Sequence, residues 1–201
     1  ILSAHGPHDL RLRIGYMATL YSLMKTNYFD FFNLPVAFNV DATALRRIYL
    51  ENNREFHPDF YTLSSPAQQE EALERSTRNN EAYKVLSDPD ARMKHVLDLY
   101  GLLEEEGQQA TALPQDFLMD MIDMNEELMD LEMEYDAAKH ALLQQQLYTL
   151  ETQMTNEIAQ VTDHWSPEKG TVEELAAVKK FFLKKRYLLR IQKKLLTFAP
   201  A

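Results

Sequence analysis

The sequence predicts an all-α protein with a helical hairpin in its N-terminal part and a three-helix bundle in its C-terminal part. Apolar residues recur at helical spacing along most of the 201 residues, whereas no segment shows the alternation typical of a β-strand. Helix start signals such as Ser65-Pro66 and Asp88-Pro89 separate these periodic segments. An apolar content of 45% indicates a chain that folds rather than one that stays disordered.

The helices of the N-terminal part are predicted from their boundaries. A short aromatic helix covers about residues 28–32, and Asp41 is the predicted N-cap of the next helix. Residues 65–68 (Ser-Pro-Ala-Gln) form a predicted capping box at the start of a third helix. Asp88 caps a predicted fourth helix, which Gly101 is expected to end in the left-handed conformation.

Three longer helices are predicted in the C-terminal part. The first covers about residues 114–136, the second carries the periodic apolar residues from Leu143 to Trp165, and the third covers about residues 171–197. Because their connections are short, neighbouring helices should be antiparallel, as in a three-helix bundle. The predicted division of the chain is therefore an unassigned N-terminal extension (1–26), a helical domain (27–101), a polar linker (102–113) and the bundle (114–201).

Composition excludes several classes of function. The chain has no cysteine, which rules out disulfides, thiolate-bound metals and a cysteine nucleophile, and its five glycines argue against a phosphate-binding loop. The net charge of −10 argues against nucleic acid as a partner, because such binding needs a basic surface. No apolar run is long enough to span a bilayer, so we expect a soluble intracellular protein without a membrane partner.

The tripeptide His57-Pro58-Asp59 lies between the second and third predicted helices. Proline disfavours the α region for the residue before it, so Pro58 should turn His57 out of the helix and hold the Asp59 carboxylate in place. A rigid polar tip of this kind can pair with an arginine of a partner protein. The tripeptide taken alone also fits a simple helix stop, or an acid/base pair, although no nucleophile or metal site accompanies it.

The helix before this tip carries three arginines, Arg46, Arg47 and Arg54. Arg47 and Arg54 are seven residues apart and share a face, which could meet an acidic partner. Ion pairs with Glu51 of the same helix would explain Arg47 and Arg54 without a partner protein.

The first helix of the bundle has two apolar surfaces. A narrow stripe with steps of three and four residues is the expected bundle core. The stripe consists of Phe117, Met121, Met124, Leu128, Leu131 and Tyr135. A separate arc of the same helix consists of Leu118, Met119, Ile122, Met129 and Met133. Carboxylates border it at Asp123, Glu126 and Asp130, so it is either a protein-binding surface or a surface that the third bundle helix covers.

Two parts of the chain resemble known families. Residues 80–89 read Asn-Glu-Ala-Tyr-Lys-Val-Leu-Ser-Asp-Pro, and their position after the His-Pro-Asp loop resembles a J-domain, which would span residues 27–101. Residues 29–35 (Phe-Asp-Phe-Phe-Asn-Leu-Pro), 117–120 (Phe-Leu-Met-Asp) and 125–130 (Asn-Glu-Glu-Leu-Met-Asp) resemble the HscB family, called Jac-type in mitochondria.

The resemblance implies a co-chaperone rather than an enzyme, without a cofactor or a metal. Its partners would be a DnaK/HscA-type ATPase chaperone and an IscU-type iron–sulfur scaffold, in a bacterial cytoplasm or a mitochondrial matrix. The chaperone would meet the His-Pro-Asp tip and the three arginines of the preceding helix. The positions that match the family's scaffold-binding residues are Leu118, Met119, Ile122, Asp123, Glu126, Asp130 and Phe182.

Two features depart from the usual J-domain pattern, and two other functions compete with this interpretation. Phe60 follows the tripeptide where lysine is common, and Asn52 and Asn53 are expected to dilute the positive face. A general J-protein adaptor for another client is an alternative function. A di-iron carboxylate enzyme would need Glu-x-x-His pairs, and the sequence contains none.

Overall fold

The structure is a computed structural model that describes residues 27–103 and 113–197. The predicted N-terminal extension (1–26) and residues 104–112 of the predicted linker lie outside the described residues. Every regular element in the described ranges is helical, which confirms the predicted all-α class. Within those ranges, no helix combines the length and the hydropathy that crossing a bilayer requires.

The described chain divides into two compact units. The first unit contains residues 27–102 together with residues 165–170, and the second contains the other described residues. The helices of the first unit are α1 (Tyr28–Phe31), α2 (Ala42–Phe56), a 3-10 turn (Pro58–Tyr61), α3 (Pro66–Ser87) and α4 (Pro89–Leu99). The helices of the second unit are α5 (Gln115–Met133), α6 (Ala137–His164) and α7 (Val172–Leu196).

The helix boundaries predicted in the first unit are confirmed by their capping hydrogen bonds. The Asp41 side chain accepts a hydrogen bond from the Thr43 backbone N–H at 2.8 Å, and Asp88 accepts one from the Ala91 N–H at 2.7 Å. Residues 65–68 form both hydrogen bonds of a capping box. Gly101 has a φ of 64°, the left-handed conformation that ends α4 without a steric cost for glycine.

A buried arginine fixes the start of α4 in the first unit. Arg92 is buried, and its Nε donates a hydrogen bond to the Phe38 carbonyl at 2.7 Å, while Nη1 donates to the Leu86 carbonyl in the last turn of α3. Burial lowers the pKa of the guanidinium, and the Asp88 carboxylate raises it. The cation lies at the C-terminal end of α3, where it is favoured by the helix dipole.

The second unit is a three-helix bundle, as predicted, in which α7 packs against both α5 and α6. Four members of the predicted stripe, Phe117, Met121, Leu128 and Leu131, are buried. The ring of Phe117 meets the ring of Tyr187 edge to face, with 6.5 Å between centroids. Between α7 and α6, Gln192 Nε2 donates a hydrogen bond to the Glu151 carboxylate at 2.9 Å.

The first bundle helix ends earlier than predicted. It stops at Met133 rather than near Asp136, so Tyr135 lies outside the helix and is exposed instead of belonging to the stripe. The reason is local, because the Asp136 carboxylate accepts hydrogen bonds from the Lys139 and Ala138 N–H groups and caps α6. These two bonds hold the pKa of Asp136 below its ordinary value.

Trp165 was predicted to belong to the second bundle helix, but it lies outside that helix. The helix ends at His164, and the buried Trp165 side chain packs in the first unit, 5.0 Å from the Phe38 ring and 5.4 Å from the Tyr100 ring. Gly170 lies directly against the indole. A Cβ placed on Gly170 would come within 2.7 Å of Trp165 Cε2 and closer still to Nε1.

We expect Gly170→Ala to destabilise the first unit, because the buried indole cannot move away without disturbing the two rings beside it. Overpacking of this kind costs about 1–3 kcal/mol. Urea unfolding followed by the fluorescence of Trp165, which is the single tryptophan, measures this directly. Lys169→Ala, at an exposed neighbouring position, is the control and should leave the midpoint unchanged. Equal midpoints for the two variants would contradict the predicted overlap.

Candidate functional site

His57-Pro58-Asp59 forms the tip between α2 and α3, as the sequence predicts. His57 ends α2 with ψ at 123°, which is outside the helical region, and Pro58 begins the 3-10 turn. His57 Nδ1 accepts a hydrogen bond from the Asp59 N–H at 3.3 Å, so in a neutral ring the proton lies on Nε2. The Asp59 side chain is 83% exposed, and its carboxylate is therefore available to a partner.

Hydrogen bonds tie this tip to the helices on both sides. The Tyr61 hydroxyl donates to the Glu55 carbonyl at 3.0 Å, which satisfies one of the free carbonyls at the end of α2. From the other side, Gln69 Nε2 on α3 donates to the carbonyls of Thr62 and Ser64. The tip is thus a well-anchored loop that presents the Asp59 carboxylate to solvent. The extended backbone of His57 confirms that Pro58 turns this residue out of the helix.

A buried asparagine joins α2 to α3 below the tip. Asn79 is fully buried, and its Nδ2 donates to the Tyr49 carbonyl at 3.1 Å and to Asn53 Oδ1 at 3.2 Å. Its Oδ1 accepts a hydrogen bond from Asn52 at 3.1 Å. Asn52 and Asn53 are half-buried between the helices, so the expectation that they dilute the basic face is wrong.

The basic face of α2 is exposed and surrounds an apolar side chain. Arg46, Arg47 and Arg54 are all exposed, and Arg47 pairs with Glu51 at 3.0 Å, as one interpretation of the sequence predicts. Among the described residues, Arg46 and Arg54 form no ion pair. They lie with Leu50, which is also exposed, along a shallow depression of the helix surface.

The second apolar surface of α5, here called the α5 arc, is exposed within the bundle. It consists of Leu118, Met119, Ile122, Met129 and Met133. Met119 and Ile122 are 60% and 57% exposed, and Leu118 is half-buried at the border with the core. The alternative that α7 covers the arc is therefore wrong, because α7 packs on the neighbouring stripe, where Lys184 Nζ lies 4.8 Å from the centre of the Phe117 ring. Helix α5 thus presents an apolar surface to solvent beside its buried core.

Exposed carboxylates border the α5 arc. Asp123, Glu126 and Asp130 are exposed, and within residues 27–103 and 113–197 none of them forms an ion pair. An exposed apolar patch with a charged rim is typical of a protein-binding surface. In the described parts of the chain, no cluster of three or more histidine, aspartate or glutamate side chains is arranged to hold a metal ion.

The remaining predicted scaffold-binding residue, Phe182, is buried rather than exposed. Phe182 is only 6% exposed, and the Arg186 guanidinium lies 5.9 Å from the centre of its ring. Its neighbour Phe181 is also buried and borders a groove between α6 and α7. Any contact of Phe182 with a partner would be limited to its edge, and its role in binding stays a prediction.

Several residues that support the tip or extend the exposed surface around it were not predicted from the sequence. Leu50 lies four residues from both Arg46 and Arg54, so helical spacing alone could have placed it on the basic face. Asn79 carried no such signal, because burial of an asparagine depends on partners that are 26 to 30 residues away in sequence. Phe60 and Leu63 add exposed apolar side chains beside the tip.

Comparisons with known proteins agree with both parts of the chain. Residues 113–196 match the family model described as the HSCB C-terminal oligomerisation domain. A co-chaperone protein HscB homolog of Pasteurella multocida is 28% identical, over 86% of this chain and 99% of that relative. Its counterpart in Bordetella petrii is 34% identical, over 68% of this chain and 79% of the relative. The crystal structure of human co-chaperone protein HscB has a similar fold, with a TM-score of 0.69 at 22% identity over 86% of this chain and 82% of that one.

We expect Asn79→Ala to loosen the α2–α3 hairpin. The change leaves the Tyr49 carbonyl and two half-buried asparagines without their partner, which costs about 1–3 kcal/mol of unfolding free energy. Urea unfolding followed by far-ultraviolet circular dichroism measures this cost. Thr77→Ala, at an exposed position of the same helix, is the matched control. A loss no larger than that of the control would show that the network is dispensable.

Proposed function

This chain belongs to the HscB family of co-chaperone proteins, and we propose on that premise that it stimulates the ATPase of a DnaK/HscA-type chaperone. We propose further that it delivers an IscU-type iron–sulfur scaffold to that chaperone and so aids cluster transfer and the maturation of iron–sulfur proteins. One observation carries this proposal. The His-Pro-Asp tip of the first unit and the α5 arc of the second are both exposed to solvent.

The first unit supports the chaperone part of the proposal. Asp59 is an exposed carboxylate at the end of an anchored loop, 3.6 Å from His57 Nδ1, and its exposure suits a charge-assisted pair with an arginine of the chaperone. The exposed arginines of α2 would add attraction to an acidic surface and orient the encounter. Leu50 gives this face an apolar centre that a partner could bury.

The second unit supports the scaffold part. Leu118, Met119 and Ile122 offer apolar contact area, and methionine adapts readily to the shape of a partner. The exposed carboxylates Asp123, Glu126 and Asp130 would be complemented by a basic rim on the scaffold. Because α5 is anchored by its buried stripe, these side chains are held on one rigid element.

The proposed mechanism is a shift of a conformational equilibrium in the partner. ATP is hydrolysed on the chaperone, and this chain supplies binding energy that favours the hydrolysis-competent state. Scaffold binding and chaperone binding are coupled, so each should strengthen the other by the same factor. The relatives are named as co-chaperones, and we propose that this chain likewise has no catalytic group of its own. It would act in a bacterial cytoplasm or, in a eukaryote, in the mitochondrial matrix.

A two-by-two ATPase experiment tests the whole proposal. Steady-state hydrolysis by the cognate DnaK/HscA-type chaperone is measured with and without this protein and with and without the IscU-type scaffold. Stimulation by both together that exceeds the product of the separate effects supports the proposal. Stimulation by this protein without any scaffold effect would leave a general J-protein adaptor with another client. No stimulation in any combination would refute the chaperone part.

We expect Asp59→Asn to abolish most of the ATPase stimulation without changing the fold. The substitution keeps the shape of an exposed side chain but removes its charge, and a hydrogen bond to a charged group is worth about 1.5–3 kcal/mol. The expected loss in apparent affinity for the chaperone is therefore at least about tenfold.

The matched control for the tip is Glu55→Gln, which removes one exposed negative charge from the adjacent turn of α2. It should retain full stimulation. If Asp59→Asn loses helicity by circular dichroism, or if both variants fall equally, then the tripeptide has a structural or a general electrostatic role.

We expect the triple variant Leu118→Ala/Met119→Ala/Ile122→Ala to lose scaffold binding but to keep ATPase stimulation in the absence of scaffold. Truncation of apolar residues at the centre of an interface costs about 2 kcal/mol or more, so titration calorimetry should show affinity reduced at least about thirtyfold. Leu142→Ala/Tyr148→Ala, which truncates exposed apolar residues of α6, is the control. A triple variant whose bundle melts would identify these side chains as core.

A further inference from the structure

Methionine is concentrated on the exposed side of α5. The helix carries five of the nine methionines of the chain, namely Met119, Met121, Met124, Met129 and Met133. Met129 and Met133 are 62% and 88% exposed, and Met119 is similarly accessible, whereas Met121 is buried in the core. At 100° per residue, the three exposed methionines fall within an arc of about 80° that extends along about 21 Å of the helix.

Apart from Met17 and Met24, which lie outside the described residues, the chain offers few competing sites of oxidation. It has no cysteine, and its single tryptophan, Trp165, is buried. Outside α5, Met154 is buried and Met93 is half-buried. Among the described residues, the exposed sulfur atoms are therefore confined to the surface that we propose for the scaffold.

We propose that Met119, Met129 and Met133 form an oxidation-sensitive site at which hydrogen peroxide switches off scaffold docking. The thioether sulfur attacks one peroxide oxygen, an S–O bond forms as the O–O bond breaks, and the other oxygen leaves as water after it takes up the proton. The sulfur loses two electrons and the peroxide gains them, so the products are methionine sulfoxide and water. The inference rests on the proposed scaffold-binding function of the α5 arc.

The effect on docking follows from the change in polarity. A thioether is apolar and flexible, whereas a sulfoxide carries a strong hydrogen-bond acceptor that loses its water when a partner covers it. Desolvation of an unpaired polar group weakens binding by about tenfold or more. The carboxylates on the rim cannot compensate, because they are acceptors as well. Methionine sulfoxide can be reduced enzymatically, so the switch is reversible.

The test begins with peroxide treatment of the full-length protein alone, followed by removal of the peroxide with catalase. Peptide mass spectrometry should detect sulfoxide at Met119, Met129 and Met133 before it appears at Met121 or Met154. The affinity for an untreated IscU-type scaffold, measured by calorimetry, should fall at least about tenfold. Methionine sulfoxide reductases A and B should restore it.

The matched variant is Met119→Leu/Met129→Leu/Met133→Leu, which conserves volume and removes the oxidisable sulfurs. Its affinity after peroxide is compared with its own untreated sample, and the ratio should stay near one. ATPase stimulation without scaffold serves as an internal control for damage elsewhere and should survive the treatment in both proteins.

The outcomes separate this inference from the function on which it rests. If the untreated protein does not bind the scaffold, the proposed function fails and the switch fails with it. If the untreated protein binds and the sulfoxide form binds equally well, only the switch is refuted. Sulfoxide formation that is as fast at Met121 and Met154 as on the exposed surface would also overturn the inference.

Discussion

Burial of one apolar stripe fixes the rotation of each long helix about its axis, and the exposed surfaces of this protein follow from that constraint. In α5, burial of Phe117, Met121, Leu128 and Leu131 leaves the arc at Met119 and Ile122 facing solvent. In α2, burial of Leu45 and Phe56 turns the arginines outward, and hydrogen bonds to Asn79 hold the helix in this orientation. The buried core residues therefore determine which side chains face solvent and can contact a partner protein. The core residues themselves do not contact a partner.

The tip between α2 and α3 shows how a short sequence can become a binding element without a pocket. Pro58 ends the helix by its effect on the preceding residue, and hydrogen bonds from Tyr61 and Gln69 hold the loop on both sides. A carboxylate on such a loop loses little conformational freedom when it binds, which favours affinity from a small contact. Such a loop suits the proposed role, in which the chain shifts a conformational equilibrium of a partner protein rather than converting a substrate.

The acidic residues of α5 and the basic residues of α7 have different structural roles. The acids around the α5 arc are exposed and unpaired among the described residues, whereas cations of α7 lie against aromatic rings, as Lys184 does over Phe117 and Arg190 over Tyr187. Lys185 also lies 4.0 Å from Glu151 of α6. The cations thus contribute to packing, and the acids remain available for electrostatic selection of a partner.

The sequence by itself determined the helix boundaries of the first unit, the tip and the family. The caps at Asp41, residues 65–68 and Asp88 depend on hydrogen bonds that span two or three residues, so the local sequence contains all the atoms that form them. Only the tertiary structure decided that Asn52 and Asn53 face Asn79, that Trp165 packs in the first unit and that α7 leaves the α5 arc uncovered. Each of these depends on which distant side chain arrives at a given position, and helical periodicity specifies the faces of a helix but not the neighbour that covers them.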